Sequence, residues 1–329
     1  MNFKNKLIRP YIIAEIGSNF NQNIEVGYEM ILKAKKSGAD AVKFQLFKAS
    51  TLYLKDKKMF KIFKSIELTH KIFSKFYLFA KKINIDVSAS VFDIKSAKFL
   101  SSFNIPFFKI ASSEIANFEL IDFLSKKNKP MILSTGMSEL KDVKHAVKIC
   151  EKNKNYDISI LQCNSLYPLP LHKSNINTLE TFRKNFPYQI GFSDHTLDDI
   201  AAITSVGKGA IIFEKHITLD KKMDGPDHFY ALEIEQFKQY VNKIRRAHKS
   251  LGSHKKEFLK EERANSRRIG LYYKRSIKKN ERIKLIDIAK KRPPLGLTPV
   301  YLSEILNMKL VKNVKKNTPL FLKHFKSNK

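Results

Sequence analysis

Two histidines stand at the ends of apolar, strand-like segments, each close to a carboxylate in the sequence. His195 follows residues 190–194 and His216 closes residues 211–216, and the two rings are 21 positions apart. That separation is about one strand–helix step of an α/β barrel, so both rings are expected at the same end of neighbouring parallel strands. Neutral imidazole is the commonest protein ligand of divalent transition metals. The pair predicts a metal site in which a nearby carboxylate orients each ring and further coordination positions stay open.

Two lysines lie within apolar strand segments, where an unpaired charge is costly. Lys43 stands between Val42 and Phe44, and Lys109 between Phe108 and Ile110. Together with nearby hydroxyls they predict an anion site for phosphate and carboxylate groups. The alternative is that each lysine pairs with an internal glutamate. The remaining polar side chains predicted at strand ends are Glu15, Ser90, Ser112, Ser134, Ser165, Tyr167, Ser193 and Glu214.

A short loop after the last of these strands carries a third group of polar residues. Gly225 and Pro226 form a rigid turn, and Asp227 follows them as a candidate hydrogen-bond partner for sugar hydroxyls. The alternative for Asp227 is a simple turn cap. His228 is a further, less favoured, candidate metal ligand.

The elements that would position these groups alternate regularly. Eight apolar strand candidates are separated by amphipathic helical stretches, one of which runs from Val26 to Ala34 and stops at Gly38. Such alternation indicates a parallel sheet, and eight units in about 250 residues match a (β/α)₈ barrel. A doubly wound sheet is the alternative, but no GxGxxG follows the first strand. The strand candidates are 11–16, 41–46, 86–91, 107–111, 131–134, 158–163, 189–192 and 210–214.

The character of the chain changes after about residue 250. Residues 1–250 are expected to form the barrel, residues 251–264 a polar linker or exposed helix, and residues 265–329 a second domain with short strand-like pieces. About 65 residues is small for an independent domain, so the second domain is expected to pack against something.

The bulk composition limits the class of protein. Two cysteines in 329 residues indicate a reducing, cytoplasmic setting without a disulfide framework. No apolar run approaches the roughly 20 residues of a membrane span, and the start of the chain lacks a signal-peptide pattern. The net charge of +31 raises the possibility of nucleic-acid binding. However, lysine is spread along presumed helix faces, which favours a coding bias over a nucleic-acid partner.

Read in order, these segments resemble the sialic acid synthase (N-acetylneuraminate synthase) family. The resemblance covers nearly the whole chain, and the last 65 residues resemble its antifreeze-like (SAF) domain. The segments that carry it are Ala14-Glu15-Ile16-Gly17, Ala41-Val42-Lys43-Phe44-Gln45, Lys109-Ile110-Ala111-Ser112, Ser134-Thr135-Gly136, Tyr167-Pro168, Ser193-Asp194-His195-Thr196, Glu214-Lys215-His216, Gly225-Pro226-Asp227 and Arg292-Pro293.

The resemblance implies an activity and a set of residue roles. The reaction is condensation of phosphoenolpyruvate with an N-acetylated aldose to a nine-carbon 2-keto sugar acid, with C–O cleavage and release of phosphate. By similarity His195 and His216 bind a divalent metal, usually Mn²⁺, with Mg²⁺ or Co²⁺ as alternatives. Glu15 and Glu214 are candidates for proton handling or cation stabilisation, with no separate assignment. The implied phosphoenolpyruvate contacts are Lys43, Lys109, Ser112, Ser134 and Ser193, and the implied sugar contacts are Glu15, Tyr167 and Asp227. Ser90 and Ser165 are also expected to bind substrate, without assignment to either half.

The resemblance also implies a domain-swapped homodimer, in which Arg292 of one chain reaches the N-acyl group in its partner's barrel. Two departures from the family pattern concern the sugar. Phe20 replaces the histidine that often follows the first strand, and the sixth strand ends in Cys163-Asn164-Ser165 rather than Cys-Thr-Asn. The Ser165 form is similar to legionaminic, pseudaminic and spore-coat sugar-acid synthases. Two other classes stay open: a Schiff-base aldolase using Lys109 on a related sugar acid, and a non-enzymatic polyanion-binding protein.

Overall fold

The computed structural model describes residues 7–55, 57–264 and 267–325. The chain divides into two compact units, Met1–Gly252 and Ser253–Lys329. Residues 265 and 329, the expected limits of the second domain, lie outside the described residues. Within the described chain, no helix is both long and apolar enough to cross a bilayer.

Eight parallel strands of the first unit close into a barrel. Each strand pairs with the next along the chain, and β1 also pairs with β8, so the sheet has no open edge along this circuit. The predicted (β/α)₈ barrel is therefore confirmed against the doubly wound alternative. The strands are β1 Tyr11–Gly17, β2 Ala41–Leu46, β3 Asp86–Val91, β4 Phe108–Ile110, β5 Met131–Ser134, β6 Ile158–Cys163, β7 Gln189–Asp194 and β8 Ile212–Thr218.

Helices surround this sheet and follow from local sequence signals. In α1, the Asn23 side chain caps the first turn, and Met30 and Ala34 face the sheet. The chain leaves that helix through Gly38, whose φ of +91° suits glycine. The helices of this unit are α1 Ile24–Lys36, α2 Ala49–Leu52, α3 Lys58–Ser65, α4 His70–Lys82, α5 Ile94–Ser101, α6 Phe118–Ser125, α7 Leu140–Lys152, α8 Thr178–Asn185, α9 Ile200–Gly207 and α10 Ile234–Ser250.

The two strands that carry the histidine motifs are longer than expected. β7 continues to Asp194, and β8 continues past residue 214 to Thr218 before pairing with the short strand β9, Leu232–Glu233. Polar residues inside the barrel break the apolar pattern, so the pattern alone ends these strands too early. His216 consequently lies within a strand, paired in register with Glu15.

Two apolar layers hold the barrel. The larger layer lies between sheet and helices and is rich in phenylalanine, with Phe44 and Phe76 stacked at 4.9 Å between ring centroids. A smaller cluster, which includes Tyr11, Ile13 and Phe107, contains inward residues of several strands. Barrel packing thus uses continuous apolar strands, and the remaining inward positions are available for polar groups.

The second unit has its own small core. Strands β10 (Gly270–Tyr273) and β11 (Ile288–Lys291) pair antiparallel, and isolated bridges such as Ile277 with Val314 tie in the later segments. β11 was not expected, since its Ala-Lys-Lys sequence has little apolar alternation. The other helices are α11 Lys260–Ala264 and α12 Leu302–Ile305. The core contains Leu271, Tyr273, Ile277, Ile283, Leu297, Ile305, Leu310, Val314, Leu320 and Phe325.

Candidate active site

The polar side chains of the barrel interior follow the two-residue period of the strands. Residues i and i+2 of a strand face the same side, so Glu214 and His216 of β8 point inward together. Strand register then sets neighbours: Glu15 lies beside Lys43, and Ser193 beside Glu214. The sequence-predicted side chains of β1, β2, β7 and β8 are brought to one end of the barrel.

A buried cluster of two lysines and two glutamates occupies that interior. Lys43 Nζ lies 2.8 Å from Glu15 Oε2 and 3.8 Å from Glu214 Oε1, while Lys109 Nζ lies 3.3 Å from Glu214 Oε1. The side chains of all four are at most 6% exposed. The two ammonium groups and two carboxylates offset each other, which lets four ionisable groups remain inside.

The glutamate pairing described as the alternative for the lysines is therefore present. Each lysine also donates to a serine: Lys43 to Ser90 Oγ at 2.9 Å and Lys109 to Ser134 Oγ at 2.7 Å. The lysines, serines and carboxylates form one network, so pairing and anion binding are compatible functions of the same groups. The anion site itself stays a prediction.

The pKa values of the two glutamates are displaced in opposite directions. Burial raises the pKa of Glu15 more than Lys43 lowers it. For Glu214 burial acts the same way, but Lys109 and Lys43 together lower its pKa to about 2. Glu15 accepts a hydrogen bond from Gln45 Nε2 at 2.9 Å and contacts one lysine, whereas Glu214 lies between two. This asymmetry makes Glu15 the better proton carrier and keeps Glu214 ionised.

The lysines differ in the same way. Burial lowers the pKa of each, but Glu15 and Glu214 more than reverse this for Lys43, whose pKa is raised. Lys109 has Glu214 as its main partner and keeps a lowered pKa. Of the two lysines, Lys43 therefore holds its proton more strongly.

The two predicted metal-binding histidines lie next to each other. Their ring centroids are 5.6 Å apart, and the chain places His195 directly after β7 and His216 within β8. His195 Nδ1 lies 2.8 Å from the backbone oxygen of Asn164. His216 Nδ1 lies 3.8 Å from Asp227 Oδ2 and 3.5 Å from the Tyr230 hydroxyl.

The expectation that the carboxylates next in sequence orient these rings is wrong for His195. Asp194 pairs with Lys215 instead, because adjacent strand residues face opposite sides of the sheet. The Asn164 carbonyl takes the orienting role for His195, and Asp227 is the carboxylate facing His216 Nδ1.

His228, the less favoured candidate ligand, has both ring nitrogens engaged. Nδ1 lies 2.7 Å from Thr218 Oγ1, and Nε2 lies 2.9 Å from Asn21 Oδ1. The ring is fully buried and ties the loop after β8 to the loop after β1. It thereby helps to place Asp227, one residue earlier in the same loop.

The residues present fit a divalent metal ion with nitrogen ligands. A carbonyl oxygen only accepts hydrogen bonds, so His195 keeps its proton on Nδ1 and has Nε2 free to donate a lone pair. Burial lowers the pKa of His216 to about 3, so this ring is neutral near pH 7. Among the described residues, no group of three or more His, Cys, Asp and Glu side chains is arranged around one point. The two histidines would thus leave open positions.

A corner of small groups lies beside His195. Ser112 Oγ donates to Cys163 Sγ at 3.3 Å and accepts from the Gly136 amide at 3.0 Å. A Cβ on Gly136 would stand 2.4 Å from Ser165 Oγ, so only glycine allows this approach. Ser112 Oγ and Ser165 Oγ therefore both border the space next to the Gly136 Cα.

Aromatic rings border the histidines. Tyr167 lies 4.2 Å from His195 and 5.0 Å from Tyr230, and Tyr230 lies 5.1 Å from His216, all between ring centroids. Tyr230 was missed by the sequence reasoning, although its position three residues after Asp227 in the same polar loop is a usable signal. Tyr167 is 45% exposed and remains accessible to a ligand.

Ser193 is the last of the predicted interior hydroxyls, and its Oγ lies 3.4 Å from Glu214 Oε1. Arg292 belongs to the second unit, where it is exposed directly after β11. The structure brings together the predicted residues of the barrel and leaves Arg292 in the other unit.

Comparison with known proteins identifies relatives along nearly the whole chain. The model of the NeuB family matches residues 30–256, and that of the SAF domain matches residues 269–326. An uncharacterised protein of Methanocaldococcus jannaschii is 42% identical over 91% of this chain and 90% of its own. The N,N'-diacetyllegionaminic acid synthase of Campylobacter jejuni is 35% identical over 94% of this chain and 98% of its own.

A solved structure agrees with the sequence relatives. The N-acetylneuraminic acid synthetase of Leptospira borgpetersenii, solved with citrate, is 29% identical with a TM-score of 0.75, over 78% of this chain and 90% of that one. The SAF match confirms the type of second domain that the sequence predicted.

Proposed function

The chain belongs to the NeuB family, and from that premise we propose that it condenses phosphoenolpyruvate with an N-acetylated aldose to a nine-carbon 2-keto sugar acid and phosphate. The relatives named for an activity are synthases of legionaminic, pseudaminic and sialic acids, so the chain is an enzyme that makes a sugar acid. The single observation that carries the finer proposal is the buried Lys43–Glu15–Glu214–Lys109 cluster next to two histidines at the barrel end.

For the acceptor we favour a 2,4-diacetamido-trideoxyhexose over N-acetylmannosamine. Two N,N'-diacetyllegionaminic acid synthases are 35% and 33% identical to this chain over 94% and 96% of it. The similarity to mouse N-acetylneuraminate-9-phosphate synthase is 34% but spans 79% of the chain. Tyr167 lies next to His195 and Asp227 next to His216, and we propose that these two residues, together with Ser165, contact the sugar.

Phosphoenolpyruvate carries two anionic groups, and the cluster offers two ammonium groups. Lys43 and Lys109, with the hydroxyls that they contact, are proposed to hold its carboxylate and phosphate. Both lysines already contact a glutamate. Each ammonium group would therefore contact substrate and a glutamate side chain at the same time.

The two glutamates have different proposed roles. The anionic groups of phosphoenolpyruvate beside Lys43 would raise the pKa of Glu15 further, so Glu15 is proposed to be protonated in the substrate complex. As C3 bonds to the aldehyde carbon, Glu15 gives this proton to the aldehyde oxygen. The positive charge that develops at C2 faces the permanently ionised Glu214. Water adds at C2 and returns a proton to Glu15. The C2–O bond to the phosphate then breaks, the hydroxyl that came from water becomes the C2 ketone, and its proton leaves on the departing phosphate.

The proposal includes a divalent metal, Mn²⁺ with Mg²⁺ or Co²⁺ as alternatives, held by His195 and His216. When bound, such an ion supplies Lewis-acid polarisation of the acceptor aldehyde. Asn164 and Asp227 orient the two rings, and Tyr167 shields one face of His195 from water.

A homodimer in which Arg292 of one chain serves the barrel of its partner is also proposed. Arg292 is exposed in the described second unit, and its guanidinium suits the N-acyl carbonyl of the acceptor. Mixing two inactive variants, Arg292→Ala and His195→Ala, should restore about a quarter of the activity if sites are shared between chains. Wild-type activity in isolated monomers would contradict the dimer.

The function is tested by inorganic phosphate release from phosphoenolpyruvate with Mn²⁺. The acceptor panel contains N-acetylmannosamine and diacetamido-trideoxyhexoses of manno and altro type. Release with one acceptor, its loss with EDTA and its loss in His195→Ala are expected. Metal-independent turnover, or borohydride trapping of a covalent adduct on Lys109, would instead support the Schiff-base aldolase.

A further inference from the structure

A buried ion pair lies on the opposite face of the strands that carry the histidines. Lys215 Nζ is 3.0 Å from Asp194 Oδ2, and the two side chains are 1% and 0% exposed. Lys215 Nζ also lies 5.5 Å from the centroid of the Tyr240 ring on α10. The pair is thus placed between the barrel wall and its last helix, outside the substrate cavity.

The position of this pair along the chain links it to both histidines. Asp194 and Lys215 are partners in the β7–β8 register, and each directly precedes a histidine, His195 and His216. Because side chains alternate, the residue before an inward histidine faces the helix layer. One outward ion pair therefore joins the two strands one residue before each inward ring.

The same two side chains also hold the residue after His195. Asp194 Oδ1 accepts the Thr196 backbone N–H at 2.8 Å and the Thr196 hydroxyl at 2.7 Å. Lys215 Nζ donates to the Thr196 backbone oxygen. The backbone is consequently fixed on both sides of His195, and its own carbonyl accepts from the Leu169 amide at 2.8 Å.

Burying two charges is expensive, and a hydrophobic pair would often stabilise the fold equally well. The contacts of this pair with Thr196, next to His195, instead point to a positioning role. We propose that Asp194 and Lys215 are positioning residues, which lock the ends of β7 and β8 so that the His195 and His216 rings face one ion. This inference rests on the proposed metal site and assigns to it two residues that face away from the substrate.

The test removes the pair without leaving one charge unpaired. Lys215→Met alone would strand a buried carboxylate and threaten folding. The double variant Asp194→Asn/Lys215→Met keeps the acceptor for Thr196 and removes both charges. The matched control is Arg245→Met on the same helix, which breaks the contacts of Arg245 with Gly38 and Asp40, away from the histidines.

The first readout needs no metal and no substrate. In metal-free protein labelled with ¹⁵N-histidine, at a pH above the raised pKa of His195, wild type and Arg245→Met should show His195 as a single Nδ1–H form, assigned with His195→Gln. The double variant should show an averaged ring. The second readout is the Mn²⁺ dissociation constant by electron paramagnetic resonance, expected to rise by about 10–100-fold in the double variant and to stay unchanged in the control.

A folded double variant with wild-type imidazole spectra and wild-type Mn²⁺ affinity would overturn the inference. The pair would then contribute to the fold but not to the position of the histidines. Failure of the proposed function looks different. A wild-type protein that shows the fixed His195 ring but releases no phosphate with any acceptor contradicts the reaction, while the ring comparison still decides the positioning role.

Discussion

The buried neutral state of His216 should make the metal-free barrel sensitive to mild acid. Burial lowers the pKa of this ring to about 3, whereas a histidine in the unfolded chain titrates near 6.5. Between these values the unfolded state binds the proton and the folded state does not, so stability falls as pH falls. The perturbation is His216→Gln, which removes the titrating group and keeps a polar side chain.

The size of the effect follows from the two pKa values. The value of pH 5.0 lies about 1.5 units below the pKa of the ring in the unfolded chain, while the folded ring is still neutral. Each such unit lowers the free energy of unfolding by about 1.4 kcal/mol. Wild type should therefore lose about 2 kcal/mol more unfolding free energy than His216→Gln between pH 7.5 and 5.0. Glu214, with a pKa of about 2, stays ionised in the folded state over this range.

The assay is urea unfolding in EDTA, followed by far-ultraviolet circular dichroism because the chain has no tryptophan. EDTA is needed because bound metal would compete with protons for the same ring nitrogens. His195→Gln provides a comparison in which the titrating ring changes stability with pH in the opposite direction. Burial opposes its charged form, but Cys163 and the Asn164 carbonyl raise its pKa, so its protonation stabilises the fold below pH 6.5 and that contribution is lost as pH rises. Equal acid losses in wild type and His216→Gln would refute the reasoning.

Three further predictions concern the cluster and the barrel wall. Lys109→Met should raise KM for phosphoenolpyruvate at least tenfold, about 1.4 kcal/mol, in steady-state phosphate release, since one of two ammonium groups is lost; an unchanged KM would remove Lys109 from the anion site. Glu15→Gln should lower kcat about 100-fold or more and abolish the pH dependence of kcat that belongs to Glu15, whereas a retained profile would assign the proton to another group. Gly191→Ala should destabilise the barrel by about 1–3 kcal/mol in thermal unfolding, because its Cβ would stand 2.2 Å from the Ile212 backbone oxygen; an unchanged Tm would show that β7 and β8 can separate without cost.

The sequence alone determined the barrel, because its evidence is local and repeated. Apolar strand segments of four to six residues, separated by amphipathic helices, indicate a parallel sheet wherever they occur, and eight repeats leave few closed arrangements. Strand ends were predicted less well where polar residues turn inward, as in β8, since a buried carboxylate and a turn residue look alike in sequence.

The sequence predicted which residues belong to the candidate site, but not which of them contact each other. Spacing and ordered motifs selected Glu15, Lys43, Lys109, Glu214 and both histidines. Which carboxylate faces which lysine, and hence which glutamate has a raised pKa and which a lowered one, depends on distances of 2.8–3.8 Å across strands far apart in sequence. Coulombic interaction and desolvation act through space, so no local pattern encodes them.

The orienting partners of the histidines illustrate the same limit. Sequence proximity suggested Asp194 for His195, but strand alternation turns that carboxylate toward Lys215 and leaves the ring to the Asn164 carbonyl. Tyr230 enters the site because the loop after β8 folds back over His216. Residue types and periods are properties of the chain, whereas the partner of a buried charge is decided only when distant strands are placed side by side.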